Sequence, residues 1–325
     1  RNLNVFHFLL FYQESILRRK HWIKQKKMEY IQISIDGILY GSSYSLIALG
    51  FSLVFGVMRR INLAYGSSLL LGSAIALWVE KQLNISIIFF IPIVLFFCSL
   101  SNLYIERFCF APHNTKAGVV VSMISSFAIW MQLDEISSQL LPDRTHSFPS
   151  LEISTFEFGG LFFRGDQILN IFIAFIISAI LFLAVYKTKH GIVLRAVSNS
   201  ADTAKLMGCN TNLVNSLTFI VAGVIGGIAA FLVLSTESQV TPLFGFWCTL
   251  KGLVAMMIGG LGSLAGAFWG GLLLGLLEAH LSYQFGPVFR EITTFSILLI
   301  VLIIRPGGLM GVNIYKDLKS RDERI

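Results

Sequence analysis

Apolar residues fall along this chain in long blocks with few charges between them. A membrane-crossing helix takes roughly 20 such residues. Blocks of suitable length occur at about 34–58, 63–79, 85–104, 117–133, 168–186, 213–234 and 288–304. The stretch 252–279 is apolar as well, but Gly259, Gly260, Gly262 and Ser263 interrupt it, which predicts two helical pieces meeting at a break. Backbone leaves the helix inside a bilayer only where protein or a water-filled path satisfies the freed groups. The break is therefore a turn at one face or a re-entrant hairpin, with both ends of 252–279 on the same side. A single kinked helix would put them on opposite sides. The pattern predicts an all-α fold, a polytopic transmembrane helix bundle of about eight membrane segments with a broken or re-entrant hairpin at 252–279.

Glycine recurs at the spacing that lets helices approach closely in lipid: Gly37 with Gly41, Gly223 with Gly227, Gly262 with Gly266 and Gly270, and Gly271 with Gly275. That spacing argues for a packed bundle and not for a chemistry.

Composition agrees. Hydrophobic residues make up 55%, charged residues 13%, and mean hydropathy is +0.73. A soluble enzyme, a disordered chain and a nucleic-acid-binding domain are all excluded. The net charge is +7, but residues 1–27 alone carry seven basic residues and one acid, leaving +1 for the rest. The body thus has no polybasic face for nucleic acid. Basic residues also orient the bundle, because they concentrate in cytoplasmic loops. The joins 59–62, 105–116, 187–212 and 305–325 hold thirteen Lys and Arg; the joins 80–84, 134–167, 235–251 and 280–291 hold five. Placing the first set in the cytoplasm puts the C-terminus inside and the N-terminus outside, and it requires the broken hairpin.

Residues 1–27 conflict with that orientation. Their apolar patch 5–12 precedes the basic cluster, the reverse of a signal peptide. Two other readings stand, a basic amphipathic segment on the membrane surface and a non-native extension preceding a start at Met28. The organisation expected is an extension at 1–27, a transmembrane domain at 28–312 and a charged cytoplasmic tail at 313–325.

No catalytic or metal-binding constellation is apparent. The six histidines are scattered, and Cys98, Cys109, Cys209 and Cys248 form no C-x-x-C pair. Gly259-Gly260-x-Gly262 lacks the strand-to-helix setting of a nucleotide loop. The informative polar piece is 187–212. Ser200 can cap a short helix there, Asp202 falls in its first turn, Lys205 lies near its end and Gly208 stops it. Ala201, Ala204 and Met207 recur three apart as a small apolar face. Such a short helix does not persist alone in water. It is either an ordinary connection packed on the rest of the chain or a docking helix for a cytoplasmic protein.

These residues resemble a family. The loop, with Arg195, Ala201, Asp202, Ala204, Met207 and Gly208, is similar to the ATPase-coupling loop of ABC importer permeases. GSSYSLIALGFSLVFGVMRRINLAYG at 41–66, LRAVSNSADTAKLMGCNTNLVNSLTFIVAGVIGGIAA at 194–230, LKGLVAMMIGGLGSLAGAFWGGLLLGLLEA at 250–279 and RPGGLMG at 305–311 resemble the branched-chain amino acid permease family. Where that family usually carries histidine before a glycine, this chain has Tyr65, which argues against a proton-linked role there.

The resemblance implies a multi-pass subunit of a plasma (inner) membrane importer. It implies a second permease subunit, as a heterodimer, two ATP-binding subunits that hold ATP and Mg, and an extracytoplasmic substrate-binding protein. This chain itself would bind no cofactor and catalyse no reaction, and membrane lipid would surround it. Asn62, Tyr65, Lys251, Gly259, Gly260, Gly262 and Glu278 are the candidates for the translocation pathway or the hairpin. For Lys251 and Glu278, pathway lining and interfacial anchoring by snorkelling both stand. Arg59, Arg60 and Asn62 read as anchors at a turn.

The implied cargo is a branched-chain or other hydrophobic amino acid, with urea or short amides as the alternative. A stand-alone channel or secondary transporter predicts an inverted repeat and a membrane-buried carboxylate, and the sequence displays neither. The start at Met28 is checked by N-terminal sequencing of a functional complex. The expected result is Met28, and recovery of residues 1–27 would refute it.

Overall fold

A computed structural model of the chain describes residues 2–83, 86–113, 118–142, 145–151, 153–158, 161–305 and 307–311, with side chains from Lys26 onward except Phe158. The expected tail at 313–325 lies outside the described residues. The helices follow the apolar blocks. They are α1 (Asn2–Met58), α2 (Tyr65–Leu83), α3 (Ile87–Ile105), α4 (Gly118–Leu140), α5 (Gly165–Lys187), α6 (Lys189–Asn199), α7 (Ala201–Leu206), α8 (Thr211–Glu237), α9 (Phe244–Gly259), α10 (Leu264–Phe285) and α11 (Phe289–Ile304). A π-helical turn, Glu106–Phe110, extends α3. Among the described residues, six helices are long and apolar enough to cross a membrane.

Side-chain caps start several helices by satisfying backbone N–H groups that have no partner within the helix. The Thr188 hydroxyl accepts from Gly191 N, Ser200 from Thr203 N, Asn210 from Leu213 N and Ser263 from Gly266 N. The last of these caps turns the chain straight from the break into α10.

Helix α1 is the axis of the bundle: 78% of its most apolar window is buried, against 17% for α4 and 22% for α5. The outward faces of α3, α4 and α5 carry Phe89, Phe96, Ile124, Met131, Phe172 and Phe175, as a lipid-facing surface should. The tightest contact joins α1 to α10. Gly37 lies against Gly275 and Ala279, and Gly41 lies against Gly271 and Leu272, so the two glycine series meet with the helices antiparallel. Ser45 then donates from α1 to the Phe268 carbonyl at 2.7 Å. Lipid offers no hydrophobic drive for such a contact. Close backbone approach supplies dispersion in its place.

The interrupted segment is a helical hairpin. Gly259 packs on Gly266, and Gly270 packs on Ala255 and Gly259, so α9 and α10 run antiparallel about a turn at 260–263. Gly260 and Gly262 hold φ of 119° and 76°, which a residue with a Cβ adopts only under strain. Leu309 N and Met310 N donate to the carbonyls of Ile258 and Gly259, both at 2.8 Å, and close the exposed end of α9.

The two expected sets of joins gather at opposite ends. At the tip end, Arg60 donates to the His113 carbonyl at 2.8 Å, Ser198 donates to the Gly56 carbonyl, and Gly262 lies against Gly56. At the other end are two short antiparallel ribbons that the sequence reading lacks. β1 (His146–Ser147) pairs with β4 (Gln239–Val240), and β2 (Thr155–Phe158) pairs with β3 (Leu161–Arg164) in the register Thr155↔Arg164. Gln32 of α1 extends the second ribbon by accepting from Phe162 N at 3.0 Å and donating to Phe162 O at 2.8 Å. Asp166 accepts two hydrogen bonds from Arg164, at 3.2 and 2.7 Å, which raises the guanidinium pKa above its ordinary value.

A Cβ on Gly41 would lie 2.9 Å from the Gly271 carbonyl oxygen and from Leu272 Cα, both backbone atoms that cannot step aside. Gly41→Val is expected to lower stability by about 1–3 kcal/mol, the scale of overpacking. The lipid-facing change Ile124→Val should move it by less than about 0.5 kcal/mol. Thermal unfolding of the detergent-solubilised protein compares the two.

Candidate functional site

The hairpin carries one charge on each arm, and its geometry brings them together. Lys251 of α9 and Glu278 of α10 are 6% and 2% exposed, and the ammonium donates to Glu278 Oε1. Helix α11 adds Thr294, whose hydroxyl accepts from Lys251 at 2.8 Å and donates to the same carboxylate oxygen. The second oxygen, Oε2, accepts from Arg290 Nε and from the Tyr44 hydroxyl, each at 3.0 Å. Arg290 also donates to the Tyr44 oxygen at 2.5 Å. Four donors from α1, α9 and α11 therefore converge on one carboxylate from α10.

A lone carboxylate moved from water into an apolar interior costs several kcal/mol, and two cations with two hydroxyls offset that. This burial corrects two expectations. Lys251 and Glu278 do not snorkel to an interface, because each finds its counter-charge inside the protein. A membrane-buried carboxylate is present after all, although both of its oxygens are engaged.

A cavity of about 300 Å³ opens beside this cluster, between α1, α8, α9 and α11. Apolar wall comes from Ile47, Val233, Phe244 and Trp247. Charged wall comes from Lys251, Arg290, Glu291 and Glu237. Lys251 lies 3.8 Å from Glu291. Beyond Tyr40 and Arg290, which border both, a second hollow of about 310 Å³ runs between α1 and α10 toward Asp36 and Tyr283. The Arg290 guanidinium sits 5.7 Å from the Tyr40 ring centre, so the wall between the hollows is a cation on an aromatic face.

The other residues named from sequence occupy two different places. Asn62 and Tyr65 lie at the turn from α1 into α2. Asn62 is 2% exposed, and its side-chain oxygen accepts from Ala64 N at 3.1 Å. Arg60, at 6%, is buried beside it, and burial lowers its pKa. Neither is a solvent-side anchor; only Arg59 of that group is exposed. Tyr65 is fully buried between α1 and α8. Its hydroxyl donates to the Ala222 carbonyl at 2.8 Å in space left by Gly50 and Gly226, and its ring meets Phe51 edge-on at 4.6 Å. Gly259, Gly260 and Gly262 form the hairpin tip, at the opposite end of the hairpin from Lys251 and Glu278.

The polar loop folds as two helices rather than one, with α6 the helix the sequence reading lacks. Ser200 ends α6 and caps α7. Arg195 lies on α6, its guanidinium 5.6 Å from the Tyr186 ring centre. Asp202 is exposed, and Gly208 holds φ 83°. The single apolar face expected for Ala201, Ala204 and Met207 is corrected. Ala204 is buried with Val57 and Val197 of its own chain, and Ala201 packs on that cluster. Met207 lies past the last helical residue, 80% exposed, next to Leu206 at 90%. Among the described residues no group of three or more His, Cys, Asp or Glu could hold a metal ion.

Sequence reasoning missed Tyr44, Arg290, Thr294 and Glu237. Arg290 offered a signal, since a charge within the apolar block 288–304 is costly unless it faces a partner. Tyr44 and Thr294 offered none, because both are ordinary residues on apolar helices until the fold juxtaposes them.

Known proteins match this chain over most of its length. The family described as the permease component of branched-chain amino acid transport systems matches residues 33–305. The high-affinity branched-chain amino acid transport system permease protein BraD of Pseudomonas aeruginosa is 28% identical over 295 residues, 87% of this chain and 96% of the relative. LivH of Escherichia coli K12, a permease protein of the same description, is 27% identical over 311 residues, 89% of this chain and 98% of the relative. The galactofuranose transporter permease protein YtfT of Escherichia coli K12 is 27% identical over 186 residues, 54% of this chain and 53% of the relative.

The cluster yields an unequal pair of variants. Glu278→Gln leaves two cations facing a neutral group, and the expected loss is about 3–5 kcal/mol, the scale for breaking a buried pair. Lys251→Met leaves Glu278 with Arg290, Tyr44 and Thr294, and is expected to cost less. Thermal unfolding that ranks Lys251→Met as the more damaging change would contradict this account of the cluster.

Proposed function

The chain belongs to the family of permease components of branched-chain amino acid transport systems, and on that premise we propose that it is the membrane subunit of an ABC importer for branched-chain or other hydrophobic amino acids. It pairs with a second permease subunit, two ATP-binding subunits drive it, and an extracytoplasmic binding protein delivers the cargo. The two permeases named for branched-chain amino acids align over 87% and 89% of this chain, whereas the sugar permease aligns over 54%, which favours the amino acid.

The observation that carries the reading is α7. It is too short to persist alone. Its buried root, Ala204, is held by Val57 at the end of α1 and by Val197 of α6. Its far side presents Leu206 and Met207 bare at the tip end of the bundle. A short helix fixed to the end of the central span, with two large apolar side chains outside, suits transmission of motion from a docked subunit into α1. By the basic bias of its joins, the tip end is cytoplasmic, which sets the ribbon end and the cavity toward the extracytoplasmic side. In this reading Glu278 is a structural tie and not an ion-coupling carboxylate, since both oxygens are spent on protein donors.

Leu206→Asp and Met207→Asp change only exposed side chains, so the chain should fold while recovery of the ATPase on co-purification falls. ATP-driven uptake by the complete importer in proteoliposomes should fall at least about tenfold, which corresponds to about 1.4 kcal/mol. Ala204→Asp should act differently, by placing an unpaired charge against Val57 and Val197 and unseating α7 at a cost of about 2–5 kcal/mol. Gly208→Val should cost about 1–2 kcal/mol by opposing the left-handed backbone at the helix stop. Normal ATPase recovery and uptake with both exposed-site variants would remove the coupling role from α7. Uptake by this chain alone, without nucleotide, would overturn the importer reading.

A further inference from the structure

The cavity between α1, α8, α9 and α11 has an uneven distribution of charge. Glu278 is consumed by its four donors. Lys251 is 7% exposed at its side chain and directed at Glu278, Thr294 and Glu291, so it has little left to offer. Arg290 is the accessible cation, with 42% of its side chain exposed. A guanidinium carries five N–H donors in a rigid fork. Arg290 commits two of them, to Glu278 and to Tyr44.

On the same cavity, Glu237 ends α8. It is exposed and makes no hydrogen bond or ion pair with any described residue. A helix C-terminus is a poor place for a carboxylate, because the helix dipole is negative there. Among the described residues the cation whose charge reaches it is Arg290 of the same cavity, and no hydrogen bond joins the two. The same cavity has apolar and aromatic wall, with Phe244 and Trp247 from α9 and Ile47 and Val233 from α1 and α8.

We infer that this cavity is a relay subsite for a zwitterionic α-amino acid, with Arg290 receiving the α-carboxylate, Glu237 receiving the α-ammonium and the apolar wall receiving the side chain. The inference rests on the importer reading and adds to it the place and orientation of the cargo within this chain. Three features narrow the ligand class. The unused fork donors of Arg290 fit a planar carboxylate. Glu237, which makes no hydrogen bond with a described residue, fits a cationic group. A volume of about 300 Å³ is at the lower limit for ligand sites, which suits one amino acid and not a peptide. A sugar or urea leaves the unused fork donors of Arg290 without an anion and Glu237 without a hydrogen-bonded cation, and that is a cost once the cavity is closed to water.

The test uses the complete importer with a reporter cysteine, Thr241→Cys, on the cavity wall. Alkylation at that position is followed by peptide mass spectrometry, which separates it from Cys98, Cys109, Cys209 and Cys248. Leucine should slow alkylation at least fivefold. Leucinamide, which has the ammonium without the carboxylate, and 4-methyl-2-oxopentanoate, which has the carboxylate without the ammonium, should each protect far less. Adding Glu237→Gln should raise the leucine concentration needed for protection at least tenfold. Arg290→Lys keeps the charge without the fork and should weaken leucine more than leucinamide.

Absence of protection by leucine would overturn the subsite, as would equal protection by the amide or the keto acid, or indifference to Glu237→Gln. ATP-driven leucine uptake by the same preparation separates the two ideas. Uptake without protection removes the subsite and leaves the importer. Protection with no ATP-driven uptake removes the importer and leaves a zwitterion-binding cavity.

Discussion

One carboxylate organises this bundle. Glu278 is 2% exposed among apolar helices, and four donors close around it there. Those donors come from α1, α9 and α11, so the relative placement of four helices is tied to one side chain. A buried ion pair is weak as net stabilisation, because desolvation consumes most of the Coulombic gain. Its strength is in the asymmetry: any arrangement that separates the partners leaves a charge in hydrocarbon. The cluster therefore excludes alternative packings more than it deepens the native one.

Close packing does the complementary work. Where Gly37 and Gly41 of α1 meet Gly271 and Gly275 of α10, backbone lies on backbone, and the rotation of α10 about its axis is fixed. That rotation turns Glu278, three residues past Gly275, toward Tyr44, three residues past Gly41. The glycines and the carboxylate thus reinforce one another. The tip of the hairpin, held by the carbonyls of Ile258 and Gly259, extends the same rigid unit to the opposite end, where α7 sits on the end of α1.

The membrane helices were legible in sequence because lipid imposes long uncharged blocks, and the hairpin was legible because its glycines cluster in one short stretch. Once 260–263 is read as a turn, Lys251 and Glu278 fall on facing arms, which makes their pairing a deduction available from spacing. The remaining partners were not available. Tyr44 and Thr294 reach the carboxylate through long-range closure of α1 and α11, which no local pattern encodes. The ribbons at 146–147, 155–158, 161–164 and 239–240 are too short for an alternating pattern to register, and one of them depends on Gln32 from a helix more than a hundred residues away. The sequence leaves open whether Ala204 packs on its own chain or on a docked protein, because helical spacing gives a stripe but not its direction. Val57 and Val197 supply the direction.

The ionic cluster also bears on how the chain is made. Synthesis runs from the N-terminus, so Lys251 is complete 27 residues before Glu278, and Arg290 follows 12 residues later. Neither arm of the hairpin can partition into lipid by itself without carrying an uncompensated charge. Together they carry a neutral pair. The α9–α10 hairpin is therefore the smallest unit of this region that a translocon can release into the bilayer with its charges cancelled, and α11 enters afterwards against a partner already in place.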